Sequence, residues 1–287
     1  MTAVHLSKLH ATGNDFLVWS GLRADGAAFP LVAIDADRLC DRHRGVGADG
    51  LIAVTPGSGG ADVEMLLFNA DGGIAEMSGN GIRALAWVAV RDGYGRDGRL
   101  VVDTGGGRRV VDLEIDPTTG EVTYATVDMG PVTFDPAQIP VALDHSEGIT
   151  AEFHGVEYQG DAAGMGNPHL VLFVDDPATA RVTQHGPRLE TDQRFPARTN
   201  VHFVRPTPGA TDELDMRVWE RGVGETLSCG TGASASAAVA HRRGLVGEQV
   251  TVHVPGGDLT VELGDTIRLG GPVVHVFDTT IDLPIGA

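Results

Sequence analysis

Two glycine-rich turns carry the residues of this sequence with the clearest chemical potential. One turn is Cys229-Gly230-Thr231-Gly232 and the other is Ser78-Gly79-Asn80-Gly81. Each precedes a run of small or apolar residues, which predicts a helix buried in a core. The first turn of a helix exposes backbone N–H groups that lack partners within the helix, and these groups bind carboxylate or phosphate. Both turns therefore indicate anion-binding helix N-termini.

A thiol and a hydroxyl at these positions predict proton transfer beside a bound carboxylate. The field of a helix N-terminus lowers the pKa of a thiol, so we expect a thiolate at Cys229. Ser78 occupies the matching place in the other turn. An acid and a base on opposite faces of one α-carbon suit stereoinversion. The alternatives are a buried structural cysteine, or a cysteine hydrolase that pairs Cys229 with a distant histidine.

The turns belong to an internal repeat with a spacing of about 150 residues. They are offset by 229 − 78 = 151 residues, and Asn69 and Glu220, each closing a predicted strand, by 220 − 69 = 151. The pair Gly13-Asn14 recurs as Gly166-Asn167, at an offset of 166 − 13 = 153. This repetition predicts two equivalent halves with their matching loops around a shared cleft.

Short strands must position most of these residues. The patterns predict strands at 62–69, 100–103, 110–115, 121–127, 169–174, 200–204, 215–220, 249–254 and 273–278. They predict helices at 31–43, 80–91, 178–188 and 232–243. The triple glycine 105–107 precedes no helical pattern and predicts a turn. This mixture indicates an α/β or α+β fold with much antiparallel sheet.

Composition narrows the class of protein further. The 287 residues suggest about two domains, and the net charge of −18 disfavours general binding to nucleic acid or anionic membranes. The sequence shows no membrane-length apolar run and no secretory leader pattern. Two cysteines, Cys40 and Cys229, exclude a disulfide framework and a zinc ribbon. We therefore expect a cytoplasmic protein.

Cofactor chemistry is not favoured by the sequence. Lys8 is the only lysine, and it lies in an alternating stretch at 4–9 without a phosphate cradle. Pyridoxal phosphate is held as a lysine Schiff base, so amino-acid chemistry here is expected to proceed without it. The histidines form no H-E-x-x-H motif or clustered ligand pattern, so no metal site is predicted.

The sequence resembles the diaminopimelate epimerase family nearly from end to end. The motifs that carry the resemblance are His10–Phe16, 41–50, 68–72, 78–83, 165–169, 200–201, 220–226, 229–233 and 255–257. Proline racemases and hydroxyproline dehydratases share the C-G-T-G turn. They typically have G-H-G in place of Gly79-Asn80-Gly81, and they lack the E-R-G-x-G-E-T run at 220–226.

The resemblance implies two pseudo-symmetric lobes, each a mostly antiparallel sheet wrapped around a central helix. Residues 1–127 with 274–287 are expected to form the first lobe, and 128–273 the second, with the active site in the cleft. The family works without a cofactor, generally as a homodimer. Its reaction converts LL-2,6-diaminopimelate to the meso form, a precursor of lysine and peptidoglycan.

The resemblance also implies roles for individual residues. Cys229 is the expected proton acceptor and Ser78 its counterpart, and His169 and Glu220 flank this pair and assist proton handling. The reacting carboxylate is expected at Gly79, Asn80, Gly230 and Thr231. The remaining substrate groups are expected at Asn14, Asn69, Asn167, Asn200, Glu220 and Arg221.

Ser78 departs from the family, which has cysteine at this position; Gly50 also stands where some members have glutamine. Serine is a much weaker acid than cysteine, so activity is expected to be low. Ser78 is an introduced substitution, a natural variant whose hydroxyl or bound water donates a proton, or a sign of changed chemistry. The alternative functions are another cofactor-independent racemase or dehydratase with Cys229 as single base, and an inactive diaminopimelate-binding homologue.

Overall fold

The computed structural model describes residues 2–22 and 33–283. The chain forms two compact units. Unit 1 comprises Met1–Val127 and Gly271–Ala287, and unit 2 comprises Asp128–Gly270. Unit 1 is therefore built from both ends of the chain.

Strands make up most of the described residues. They are β1 Thr2–Ala11, β2 Asn14–Ser20, β3 Gly50–Pro56, β4 Val63–Asn69, β5 Ile74–Ala75, β6 Arg99–Thr104, β7 Gly107–Ile115, β8 Val122–Gly130, β9 Ile149–Phe153, β10 Val156–Gly164, β11 Pro168–Phe173, β12 Asn200–Pro206, β13 Glu213–Glu220, β14 Gly224–Thr226, β15 Gln249–Val254, β16 Gly257–Glu262, β17 Ile267–Pro272 and β18 Val274–Leu283. The helices are α1 Ala33–Cys40, α2 Gly79–Arg91, α3 Val182–Glu190 and α4 Gly230–Arg242. No helix within the described ranges has the length and apolar character needed to cross a membrane.

The two units repeat one order of strand pairing. In unit 1, β2 pairs parallel with β3, β3 antiparallel with β4, and β4 parallel with β6. In unit 2, β11, β12, β13 and β15 repeat this parallel, antiparallel, parallel order. Antiparallel hairpins follow in both, β6–β7 and β15–β16.

A buried helix lies at the centre of each unit. Every residue of α2 except Arg91 is buried, and so is nearly all of α4. A helix without a polar face must be enclosed on all sides, because exposing its apolar side chains to water is unfavourable. In unit 1, α2 packs against β1–β4, and in unit 2, α4 packs against β10–β13. The predicted fold class, mostly sheet around central helices, is confirmed.

Several element boundaries differ from those expected. The sequence pattern missed β2 and β3, because buried strands of a parallel pair need not alternate between polar and apolar residues. It also missed β10 and β16, which pair antiparallel with their neighbours. Helix α3 begins at Val182 and not at 178, since Asp176 caps a separate turn by accepting the Ala178 N–H at 3.0 Å. Helix α1 ends at Cys40 and not at 43, and residues 31 and 32 of that predicted helix lie outside the described ranges.

Candidate active-site residues

Cys229 lies at the N-cap of α4, directly after β14 and its connecting turn. Its φ of −132° and ψ of 107° are extended, and its carbonyl accepts the Ala233 N–H at 2.9 Å, the first bond of the helix. The thiol is buried, with the Thr231 Oγ1 3.6 Å from Sγ. The turn therefore holds the sulfur within the first turn of α4, as expected for a helix N-terminus.

The expectation of a lowered thiol pKa at Cys229 is wrong for this structure. Burial raises the pKa well above its usual value, and the negative charge of Glu220 raises it further. The nearby Thr231 hydroxyl and Gly232 N–H act in the opposite direction but are outweighed. The group is consequently a neutral thiol at neutral pH, because desolvation disfavours the thiolate more than the helix end stabilises it.

Glu220 is held beside Cys229 by a hairpin. It ends β13 and pairs with Gly224 of β14, and its carboxylate accepts a hydrogen bond from the Thr226 hydroxyl. A hydrogen bond between the Glu220 carboxylate and the thiol contributes to the raised pKa of Cys229. The thiol and this carboxylate can therefore exchange a proton directly.

Asn200 and Arg221 are joined through the backbone. The buried Asn200 donates from Nδ2 to the Pro168 carbonyl at 3.0 Å, and its Oδ1 accepts the Arg221 N–H at 2.9 Å. The Arg221 guanidinium is exposed and donates to the Ala197 carbonyl at 3.1 Å. Asn200 thus positions the backbone of Arg221, whose exposed guanidinium retains donors that can bind a carboxylate.

Asn167 and His169 form a second polar group in unit 2. The Asn167 Oδ1 lies 2.8 Å from the His169 Nε2, and the His169 Nδ1 lies 2.9 Å from the Nε2 of His202. Burial, followed by the charges of His202 and Arg221, lowers the pKa of His169 well below its usual value. His169 is therefore neutral. His202 lies in none of the recognised motifs beyond the strand at 200–204, and no local pattern in the sequence marks it.

Ser78 has the same backbone role in unit 1 as Cys229 has in unit 2. It is the N-cap of α2 with φ −138° and ψ 123°, and its Oγ accepts the Gly81 N–H at 3.0 Å. Its carbonyl accepts the Ile82 N–H at 2.9 Å. Serine is a favoured N-cap residue for this reason, so Ser78 stabilises α2 in addition to any chemical role.

A hydrogen-bonded series fixes the amides of Asn14 and Asn80. The Asn14 Nδ2 donates to Asp49 at 2.7 Å, and the Asn14 Oδ1 accepts from the Asn80 Nδ2 at 3.2 Å. The Asn80 Oδ1 in turn accepts a hydrogen bond from the Arg83 guanidinium. Each amide therefore has a defined orientation, so these two candidate substrate-binding residues are already positioned.

Arg83 is a fully buried cation under the α2 turn, and motif analysis assigned it no role. Besides Asn80, its guanidinium donates to Thr12 at 3.4 Å and to the carbonyls of Gly79 and Pro272, each at 3.3 Å. Among the described residues it has no carboxylate partner. Burial lowers its pKa to about 10, so it remains charged at neutral pH. An arginine in an otherwise apolar helix is the signal that could have identified it.

The remaining predicted residues occupy the ends of these elements. Asn69 is exposed at the end of β4, where its cross-strand partner is Gly50. Gly79 and Gly230 are the buried first residues of α2 and α4.

Lys8, the lysine without a phosphate cradle, is mostly buried. Its ammonium group donates hydrogen bonds to the Asp15 carboxylate and the Gly47 carbonyl, so this amine is held in a structural network.

Comparisons with known proteins point to one family. The diaminopimelate epimerase family model matches residues 6–134 and 162–275. The chain is 41% identical over 278 residues to a diaminopimelate epimerase of Desulfitobacterium hafniense, covering 96% of each chain. It is 38% identical over 284 residues to that of Methanothermobacter thermautotrophicus, covering 95% of this chain and 96% of the relative.

Solved structures show the same fold at lower identity. A hydroxyproline epimerase from Agrobacterium vitis superposes with a TM-score of 0.71 at 17% identity, over 98% of this chain and 91% of that one. A predicted epimerase from Pseudomonas aeruginosa superposes with a TM-score of 0.69 at 17% identity, over 98% and 100%.

Proposed function

We propose that this chain, which belongs to the diaminopimelate epimerase family, converts LL-2,6-diaminopimelate to meso-diaminopimelate. The observation that carries the proposal is the pair of matched helix N-caps, Cys229 and Ser78, which have the same extended backbone conformation. One N-cap residue removes the α-proton and the other returns a proton to the opposite face. The protein is an isomerase that acts on an amino-acid substrate.

The helix N-termini stabilise the charge that develops when the α-proton leaves. The electron pair of the broken C–H bond moves into the carboxylate and gives an enediolate. In our proposal the backbone N–H groups of Gly79, Asn80, Gly230 and Thr231 donate to these oxygens. The buried charge of Arg83 supports this site, because a cation in a low-dielectric interior stabilises a nearby anion more strongly than it would in water.

Glu220 is the acceptor for the thiol proton of Cys229 in this proposal. The neutral thiol passes its proton to the hydrogen-bonded carboxylate of Glu220, and the resulting thiolate removes the α-proton of the substrate. The Ser78 hydroxyl, or a water molecule that it holds, then protonates the opposite face. The resulting alkoxide or hydroxide regains a proton from solvent, and Glu220 releases its proton to solvent. His169 is neutral and assists by hydrogen bonding, not by carrying a charge.

The unreacted end of the substrate distinguishes diaminopimelate from simpler amino acids. We propose that Asn14, Asn69, Asn167, Asn200, Glu220 and Arg221 bind the remaining amino and carboxylate groups. The exposed guanidinium of Arg221 has the planar, two-pronged geometry that binds a carboxylate through two parallel hydrogen bonds. We also propose that the enzyme needs no cofactor and works in the cytoplasm as a homodimer.

NMR in D2O with LL-diaminopimelate tests the function. We expect deuterium at one α-carbon together with appearance of the meso form, and we expect neither in the Cys229→Ala variant. Deuterium without inversion would show that only one base works, as in the racemase or dehydratase alternative. Binding without any exchange would contradict the proposal and support the inactive binding homologue.

A further inference from the structure

His202 is a buried residue of unit 2 that the proposed reaction does not use. It lies on β12 and is fully buried, and its Nε2 is hydrogen-bonded to the Nδ1 of His169 at 2.9 Å. Its ring packs against Gly232, the third residue of α4. A Cβ added at Gly232 would lie 2.1 Å from the His202 Cε1. Glycine is therefore required at this position if the imidazole is to fit.

The matching place in unit 1 shows that the fold does not require this histidine pair. In the repeated pairing, Phe16 and Gly50 correspond to His169 and Asn200, so Ile52 corresponds to His202. A Cβ added at Gly81 would lie 3.2 Å from the Ile52 Cδ1, as Gly232 faces His202. Unit 1 thus fills these positions with Phe16 and Ile52. Burying two imidazoles instead costs solvation free energy, which indicates a role other than packing.

The hydrogen bonds assign one proton to each ring. The His202 Nδ1 is buried and has no partner among the described residues. An unpaired buried N–H is rarer than an unpaired acceptor, so the proton of His202 is assigned to Nε2. His202 then donates to the His169 Nδ1, and the His169 Nε2–H donates to the Asn167 Oδ1. Burial lowers the pKa of His202 to about 3, in agreement with two neutral rings.

We propose that His202 is a positioning residue that fixes His169 as its Nε2–H tautomer and thereby presents the Asn167 amide NH2 group to a substrate carboxylate. The opposite tautomer would leave the His169 Nε2 as an acceptor. The Asn167 amide would then flip and present its oxygen, which repels a carboxylate and attracts an ammonium group. The relay therefore selects which end of an amino acid Asn167 binds. The identity of the ligand rests on the proposed function, whereas the tautomers do not.

Two variants separate a donor at position 202 from a side chain that only fills space. In His202→Gln, the side-chain NH2 group is as many bonds from Cα as the imidazole Nε2, so it can still donate to His169. In His202→Ile, the side chain of the matched position in unit 1 fills the site without a donor. We expect His202→Ile to raise the KM for LL-diaminopimelate about tenfold, with a smaller change in kcat, and His202→Gln to recover most of this loss. Equal KM values in the two folded variants would overturn the relay.

A spectroscopic measurement tests the tautomers without any substrate. Long-range 1H–15N correlation spectra of the histidine-labelled protein distinguish Nδ1–H from Nε2–H imidazoles. We expect Nε2–H for both His169 and His202, and loss of the single His169 tautomer in His202→Ile. An Nδ1–H or charged His202 would overturn the proposal. If the D2O assay shows no exchange while both rings are Nε2–H, the relay stands and the proposed function fails.

Discussion

At the scale of single residues, Cys229 shows how two opposing effects set a protonation state. Its position at a helix N-terminus stabilises the thiolate, while its burial and the neighbouring Glu220 carboxylate favour the thiol. The N–H groups of one helix turn act on the charge at short range, whereas burial removes the whole hydration shell. The second effect dominates, so the sulfur carries a proton beside a carboxylate that can accept it.

Removing the charge of Glu220 should therefore lower the pKa of Cys229. In Glu220→Gln the like-charge repulsion and the thiol–carboxylate hydrogen bond are lost, so the thiolate forms at lower pH than in the unaltered protein. Thiolate absorbance at 240 nm, with the Cys229→Ala spectrum subtracted, gives the midpoint. This subtraction also removes the contribution of Cys40, whose pKa burial raises to about 12. An unchanged or higher midpoint in Glu220→Gln would exclude this control of the thiol.

Restoring a thiol at position 78 should accelerate the reaction. A serine hydroxyl is a far weaker acid than a thiol, so protonation from the Ser78 side limits the rate in our proposal. General acid catalysis contributes about 10²–10⁴-fold, and we expect Ser78→Cys to raise the epimerisation rate by an amount in this range. The measurement is conversion of LL to meso substrate under reducing conditions. A reduced Ser78→Cys enzyme no faster than its parent would mean that Ser78 is an adapted donor or that the site serves another substrate.

At the scale of elements, the two central helices show why corresponding glycines are not equivalent. Both α2 and α4 begin with a turn in which the third helical residue is glycine, Gly81 in one and Gly232 in the other. Strand β3 approaches Gly81 through the flexible end of an isoleucine, and β12 approaches Gly232 through a rigid imidazole. Comparing Gly81 with Gly232 therefore shows how the neighbouring side chain alone decides whether a larger residue fits at the third position of the helix.

Alanine should be tolerated at position 81 but not at position 232. In Gly232→Ala the new methyl group overlaps the His202 ring, and we expect a loss of about 1–3 kcal/mol in the free energy of unfolding. In Gly81→Ala the contacts are at 3.2 Å or longer, and the gain in helix propensity of about 0.5–1 kcal/mol offsets the crowding. Urea unfolding of the two variants gives both values. Equal losses would refute the close approach of His202.

At the scale of the whole molecule, the first and last strands, β1 and β18, pair with each other in unit 1. Strand β18 pairs antiparallel with β1 from the register Thr2↔Leu283 to His10↔Val274, and β1 also pairs with β2. Unit 2 is formed by one continuous segment. The stability of unit 1 consequently depends on residues more than 260 positions apart, which must find one another during folding.

Deleting residues 274–287 should therefore destabilise unit 1 before unit 2. The deletion removes every ladder hydrogen bond that β18 makes to β1 and exposes the edge of β1. Hydrogen exchange followed by mass spectrometry should show lost protection in β1 and β2, while β12 and β13 retain theirs. Parallel loss of protection in both units would contradict an independent core for unit 2.

Local sequence determined much of the chemistry of this protein. The glycine turns at 78–81 and 229–232 identify helix N-termini, because capping depends on a few adjacent residues. Strands such as β15 were predicted with their observed limits, since their polar and apolar residues alternate. The order of motifs along the chain identified the family that the comparisons establish.

Only the tertiary structure decided how these residues are tuned. The neutral thiol of Cys229 follows from enclosure by the fold, and the His169–His202 contact joins residues 33 positions apart. The contact between Asn14 and Asn80 spans 66 positions. Desolvation and hydrogen bonding between distant segments depend on all the residues that surround a group in space. A local window of sequence contains only a few of these residues. Sequence alone could therefore name the reacting groups, whereas their protonation, tautomers and orientation required the fold.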